Sequence, residues 1–278
     1  MESARQIIVQ KSCVKKRKNV LRNLLKAGKP SLGVHVHVTW PGFVEVIGQT
    51  GVIDYIEFAG EYAPYDLYSL ENFGRAVDLF PHMSSMIKID QDPRRFLTSR
   101  AIGSGIANLL FADIRGVDDA RESVAASRAE TPKTKGSMGA AMRRDVGYVL
   151  GPGSKEYVQQ LEEGVVALMI EKQAAIENLA AILSVKGVDM VQFGPADYSM
   201  SLGIPGQWND PRVKEAEETM IKTAIKMGVA PRVELMDFKD AGPYLKMGVK
   251  HFCVGWDVFI IQRFCQEQGA AFREAFGR

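Results

Sequence analysis

Short apolar runs of four to seven residues, rich in valine, isoleucine and phenylalanine, recur along the chain. Between them lie longer stretches in which apolar positions return every three or four residues. The first pattern is that of strands buried on both faces, the second that of amphipathic helices. Eight strand candidates result: Leu32–Val38, Ile53–Phe58, Met86–Ile89, Ile106–Phe111, Val165–Ile170, Met190–Phe193, Val229–Leu235 and His251–Val254. Helix candidates include Phe43–Gln49, Leu67–Leu79, Pro93–Ile102, Val117–Arg128, Ala174–Leu183, Pro211–Met227 and Phe238–Met247. Asp92-Pro93 and Asp210-Pro211 each place a capping side chain before a proline at the first helical position, and Gly228 and Gly248 mark two helix ends. Eight strands alternating with helices predict a parallel sheet closed into a (β/α)8 TIM barrel. A doubly wound open sheet would carry a glycine-rich turn after its first strand, where this chain has Thr39-Trp40-Pro41-Gly42.

Length agrees with that pattern, because 278 residues is the size of one such barrel. Residues 1–278 are therefore read as a single domain, with a basic N-terminal segment and helix over 1–30 and a C-terminal helix over 256–278. Apolar residues at 46% and charged residues at 24% give enough core material to exclude a disordered chain. The net charge of +2 provides no global field for nucleic acid. One local exception, residues 11–18, reads Lys-Ser-Cys-Val-Lys-Lys-Arg-Lys and is taken as a solvated leader to a helix from about Lys18 to Lys26. Cys13, Cys253 and Cys265 are too scattered for a disulfide framework, and no apolar stretch approaches a membrane span, so a cytoplasmic protein without membrane partners is expected. The longest irregular segment, 130–156, is expected to be functional or disordered.

In a barrel of this kind the active site lies at the C-terminal strand ends. Those ends supply His35, His37, Glu57, Glu61, Lys88, Asp90, Glu171, Asp197, Arg232, Glu234 and Asp257. Glu171 closes a nearly uniform apolar run, and Asp197 follows Gly194-Pro195-Ala196 where a strand opens into a helix. Two such carboxylates on adjacent strands can share a hard divalent ion; a salt bridge for Glu171 and a helix cap for Asp197 are the structural alternative. His35 and His37, at i and i+2, face the same way and are either acid/base groups of the pocket or packed polar residues. Arg232 and Glu234 also share a face, so Arg232 either grips a substrate carboxylate or forms an internal ion pair. A zinc hydrolase site built on His35-Val36-His37 would need further histidines, and only His82 and His251 remain.

Met169-Ile-Glu171, Ala175-Ile-Glu-Asn-Leu and Gly187-Val-Asp-Met-Val-Gln-Phe-Gly-Pro-Ala-Asp-Tyr-Ser-Met-Ser-Leu-Gly203 together resemble the HpcH/HpaI family of class II pyruvate aldolases. Leu24 to Gly33, Asp118 to Val124 and Phe252 to Asp257 extend the resemblance over most of the chain. It implies a (β/α)8 barrel whose last helix is exchanged between subunits of a homo-oligomer, a hexamer or trimer. It further implies Mg²⁺, Mn²⁺ or Co²⁺ on Glu171 and Asp197, and a 2-oxo acid such as pyruvate that reacts as a metal-bound enolate. Gly194, Pro195, Ala196 and Met169 fall at substrate-binding positions.

The departures are as informative. The family's catalytic histidine is Tyr62 here, its arginine is Lys88, and the aspartate that orients the histidine falls at Gly103. A phenol is a poor base at neutral pH, so Tyr62 is read as a hydrogen-bond donor. Lys88 keeps the charge but not the planar fork of arginine. His35 and His37 then become candidates for the proton transfer. The expected activity is a metal-dependent carbon–carbon lyase of aldolase type acting on a 2-oxo acid, with an aldehyde or acyl acceptor as second substrate. A decarboxylase or biosynthetic condensing enzyme on the same platform, and a non-catalytic ligand-binding barrel, are the alternatives.

Overall fold

Eight parallel strands pair in chain order and close on themselves in the computed structural model, which describes residues 18–146, 148 and 151–278. They are β1 (Ser31–Val36), β2 (Tyr55–Ala59), β3 (Ser84–Ile89), β4 (Asn108–Ile114), β5 (Val166–Ile170), β6 (Met190–Phe193), β7 (Ala230–Leu235) and β8 (His251–Trp256), with β8 returning to pair with β1. This is the closed barrel that the alternating pattern predicts. Of the basic run 11–18, only Lys18 lies inside the described residues.

Every position of β2, β3, β5 and β6 is buried, because helices cover the outside while side chains from alternate positions fill the inside. The larger apolar core lies between strands and helices and includes Phe58, Phe111, Ile170, Val213 and Ile221. A second core packs Leu21 with Tyr55, Met86, Leu110, Val165 and Met190. Leu21 belongs to the helix Val20–Lys26, which lies across the N-terminal end of the barrel. Asn19 caps that helix and bonds Asn108 Oδ1 at 2.7 Å, while Arg22 grips Asp189 through two contacts of 2.5 and 2.6 Å. The opposite mouth is left for chemistry.

Several helix ends follow from single residues. Asp210 accepts the Arg212 amide ahead of Pro211, and the helix Pro211–Met227 stops at Gly228 with φ of +76°. Asp92 does not do the same: the helix begins at Arg94, and Pro93 itself takes the extended capping position without a side-chain bond. The helix expected over Ala174–Leu183 breaks at Asn178 into two short pieces. That over Phe238–Met247 becomes a 3₁₀ turn and a short helix beginning at Gly242-Pro243, since proline cannot continue the turn before it. From the segment 130–156, Met138 and Val146 pack with the flanking Ala129, Tyr157 and Leu161 into a small outlying core, and Ser154 caps the helix Lys155–Glu162.

Charge is buried at the barrel centre. Arg232 on β7 is completely buried and lies 2.6 Å from Glu57 Oε2 on β2. Its other nitrogens donate to Tyr55 Oη at 2.7 Å and Gln192 Oε1 at 2.5 Å. Tyr55 can cross the interior only because β1 has glycine at 33: a Cβ there would meet the ring at 2.2 Å. Burial pushes the Glu57 carboxyl up, but Arg232, then His35 and Lys88, hold it down at about 2. Arg232 is thus an internal ion-pair residue, and its partner is Glu57 rather than Glu234. Removing one member leaves a buried charge unpaired, so Arg232→Leu is expected to lose about 3–5 kcal/mol in urea unfolding at neutral pH. Glu57→Gln with Arg232→Leu should lose less than the single change. A depressed carboxyl stabilises the fold above its unfolded pKa and ceases to do so as pH falls through its folded value, so the deficit of Arg232→Leu should shrink in acid.

Candidate functional site

The C-terminal strand ends surround a cavity of about 920 Å³ lined by Tyr62, Lys88, Met169, Glu171, Asp197 and Trp256 among others. Glu171 immediately follows β5 and is 3% exposed. Its Oε1 accepts the Asp113 amide at 2.7 Å. Gly194, the residue after β6, lets the chain pass close by, because a Cβ there would fall 2.6 Å from Glu171 Oε2. Pro195 and Ala196 begin the helix Pro195–Ser201, and Asp197 lies in its first turn. Asp197 Oδ1 receives Lys172 Nζ at 2.7 Å.

The electrostatics of this pair are finely opposed. Burial raises the Glu171 carboxyl; Lys88 and the Asp113 amide pull it down, while the charges of Glu61 and Asp197 add to the rise. The charge of Asp197 beside the Glu171 carboxyl is a repulsion that a divalent cation relieves. The donor set is hard oxygen on adjacent strands, which fits Mg²⁺, Mn²⁺ or Co²⁺. Among the described residues no group of three or more histidine, cysteine, aspartate or glutamate side chains is placed to hold a metal. Two protein ligands would leave the remaining positions to water and substrate.

Lys88 projects from β3 beside the pair. Its Nζ lies 2.5 Å from Glu61 Oε2 and donates to Tyr62 Oη at 2.6 Å. Burial disfavours its charge, but Glu171, Tyr62 and Glu61 outweigh burial and raise its pKa, so it stays an ammonium at neutral pH. Burial also pushes the Tyr62 phenol up to about 12, against the pull of Lys88. With Lys88 donating to its oxygen, Tyr62 keeps its own proton to donate.

His35 and His37 do come together, with ring centroids 5.5 Å apart. His35 is buried and stacks on Trp256 at 4.3 Å. Its Nδ1 lies 3.1 Å from Glu57 Oε1 and 3.4 Å from Glu234 Oε1. Glu234 also accepts Gln192 Nε2 at 2.8 Å. His37, one residue beyond β1, sits 3.4 Å from Asp257 Oδ1 and packs near Tyr62. His251 opens β8 at the other end of the barrel, where it meets Ser31 Oγ at 2.9 Å. Burial and then Lys250 lower its pKa to about 4.

Asp113 and Lys172 were not legible as site residues. The fourth strand was expected to stop at Phe111, whereas β4 runs to Ile114 through an irregular pairing and carries Asp113 at φ of +59°. Lys172 directly follows Glu171, which was the one available signal.

A family model described as HpcH/HpaI aldolase/citrate lyase matches residues 74–263. A 4-hydroxy-2-oxo-heptane-1,7-dioate aldolase of Salmonella dublin is 29% identical over 256 residues, covering 92% of this chain and 95% of that protein. An HpcH/HpaI aldolase from Desulfitobacterium hafniense DCB-2 superposes with a TM-score of 0.81 at 25% identity, covering 92% of this chain and 98% of that one. The citrate synthase SbnG superposes with a TM-score of 0.79 at 21% identity, covering 94% of this chain and all of that one, and shows likeness of fold.

A buried carboxyl with a raised pKa favours the fold only while protonated, below its unfolded value, and this contribution is lost as pH rises through the folded value. Glu171→Gln should therefore raise the urea midpoint of metal-free protein at pH 7. The gain should vanish below the ordinary glutamate range of about 4.

Proposed function

The chain belongs to the HpcH/HpaI aldolase/citrate lyase family, and on that premise we propose that it is a divalent-metal-dependent carbon–carbon lyase of aldolase type. Its substrate is a pyruvate-like 2-oxo acid, with an aldehyde as the second partner. The observation that carries this reading is the carboxylate pair Glu171 and Asp197 beside the Lys88 ammonium in one cavity at the C-terminal strand ends. When bound to that pair, a divalent ion supplies Lewis-acid stabilisation of developing negative charge.

The chain's own groups do the rest. Lys88 directs a fixed positive charge at the oxygen on which enolate charge grows, and Glu61 holds that ammonium in place. Tyr62 donates its hydroxyl proton to a substrate oxygen. The first-turn amides of Ala196 and Asp197, which helix geometry leaves without internal partners, face the substrate carboxylate. Pro195 has no amide hydrogen and Gly194 allows close approach, while Met169 packs against the same turn and excludes water. His35 and His37 stand as the nearest imidazoles for proton transfer. Arg232 is assigned no contact with substrate, because Glu57, Tyr55 and Gln192 occupy its donors.

Tyr62 also favours a second reading on the same platform, decarboxylation or condensation with an acyl acceptor. A phenol held at about 12 cannot deprotonate an alcohol at neutral pH, and these reactions need enolate stabilisation without that step. The chain is proposed to act as a single barrel domain in the cytoplasm and as a homo-oligomer. In support of the last, the helix Asp257–Phe276 exposes Ile261, Phe264, Phe272 and Phe276. Among the described residues no helix is long and apolar enough to cross a membrane.

Mn²⁺-loaded protein should exchange the C3 hydrogens of pyruvate with deuterated water, followed by NMR, and should decarboxylate oxaloacetate. Lys88→Met is expected to lower kcat by about two to three orders of magnitude, the cost of losing one fixed charge at a developing oxyanion. Absence of both exchange and decarboxylation in metal-loaded protein would remove the enolate reading, and decarboxylation without aldol cleavage would select the second one.

A further inference from the structure

Lys172 follows Glu171 in sequence, yet its ammonium is seated elsewhere. Its Nζ lies 2.7 Å from Asp197 Oδ1 and 3.0 Å from Asp113 Oδ1, and the side chain is 19% exposed. The lysine therefore ties the end of β4 to the first turn of the helix after β6. Asp113 is the same residue whose amide holds Glu171 Oε1. Its left-handed backbone, φ of +59°, is a conformation that costs a non-glycine residue on the order of 1–3 kcal/mol and is retained where surroundings impose it. Apart from the lysine, Asp113 Oδ1 has no hydrogen-bond partner. Three carboxylates and one ammonium thus form a chain: Glu171 to the Asp113 amide, the Asp113 carboxylate to Lys172, and Lys172 to Asp197.

A divalent ion on Glu171 and Asp197 is incompatible with that seat in two respects. The ammonium occupies an oxygen that would serve as a ligand, and a cation so close repels another. Asp113 is an alternative acceptor already within reach of the same Nζ, and its Oδ2 is paired with Arg115 at 3.1 Å, so only Oδ1 is available to the lysine. We infer that Lys172 is a built-in counter-cation that sets the affinity of the carboxylate pair for divalent metal, shared between Asp197 and Asp113 in the metal-free protein and held by Asp113 alone when the ion binds. It acts through Asp197 and is a positioning residue. The inference rests on the metal reading proposed above and adds to it the residue that tunes occupancy.

The two halves of the switch predict opposite signs. In calorimetric titrations of chelator-stripped, full-length protein with MnCl₂, Lys172→Met should bind Mn²⁺ about five-fold more tightly than wild type, the scale of a partly exposed ion pair. Asp113→Asn should bind it more weakly, because the lysine loses its alternative seat. In the double variant the Asp113→Asn penalty should disappear. Lys172→Arg should stay close to wild type, and urea midpoints of each variant report whether the fold is intact; Lys172→Gln serves in place of the methionine variant if that one unfolds. Equal or weaker Mn²⁺ binding by folded Lys172→Met and Lys172→Gln overturns the inference. In that case, loss of binding in Glu171→Gln and Asp197→Asn would leave the metal reading standing, whereas no Mn²⁺ binding by any form removes both.

Discussion

The buried ion pair between Arg232 and Glu57 is the constraint on which the pocket depends. It joins opposite walls of the closed sheet, and both side chains are fully removed from solvent. A barrel interior is normally filled by apolar layers, and here one layer is polar: Tyr55, Gln192 and His35 attach to the pair within hydrogen-bond or ion-pair distance, and Glu234 joins through Gln192 and His35. Desolvated charges are costly unless every partner is in place. That requirement fixes the positions of β1, β2, β6 and β7 relative to each other.

Above that layer the site is a balance of like charges and their counter-ions. Glu61, Glu171, Asp113 and Asp197 are gathered at four strand ends, and Lys88 and Lys172 are interleaved with them. Each lysine touches a carboxylate on a different segment, so the charges also hold the βα loops together. The same arrangement explains why Lys88 is not a nucleophile. A lysine that attacks a carbonyl must lose its proton near neutral pH, and the carboxylates around Lys88 favour its charged form. The chemistry open to it is electrostatic.

Tyrosine at position 62 limits what the pocket can do, because a phenol is a poor base at neutral pH. The phenol accepts from Lys88 and keeps its own hydrogen, which makes it an extension of the cationic wall. Imidazoles are still present, but His35 is tied by Nδ1 to two carboxylates behind the pocket and His37 to Asp257 beside it. On the proposed reading, proton transfer would fall to these imidazoles at the end of the first strand.

The eight strands, their order and the closed barrel follow from the sequence alone, because each run of valine, isoleucine and leucine buried on both faces has one stable place in a parallel sheet. Glu171 stands out in the sequence as a single charge closing an apolar strand, and Asp197 as a carboxylate after Gly-Pro at a helix start; their reading as a metal pair, and the place of Lys88 beside them, rests on the family resemblance. What the sequence could not decide was pairing across the barrel. Arg232 and Glu234 share a strand face, yet the arginine bonds Glu57, which is remote in sequence and brought near by closure of the sheet. Asp113 escaped notice because local propensity ends its strand too early, and only pairing with β5 carries β4 to Ile114. Periodicity specifies which residues are inside; contacts between distant strands, set by closure and by the need to pair every buried charge, decide which of them work together.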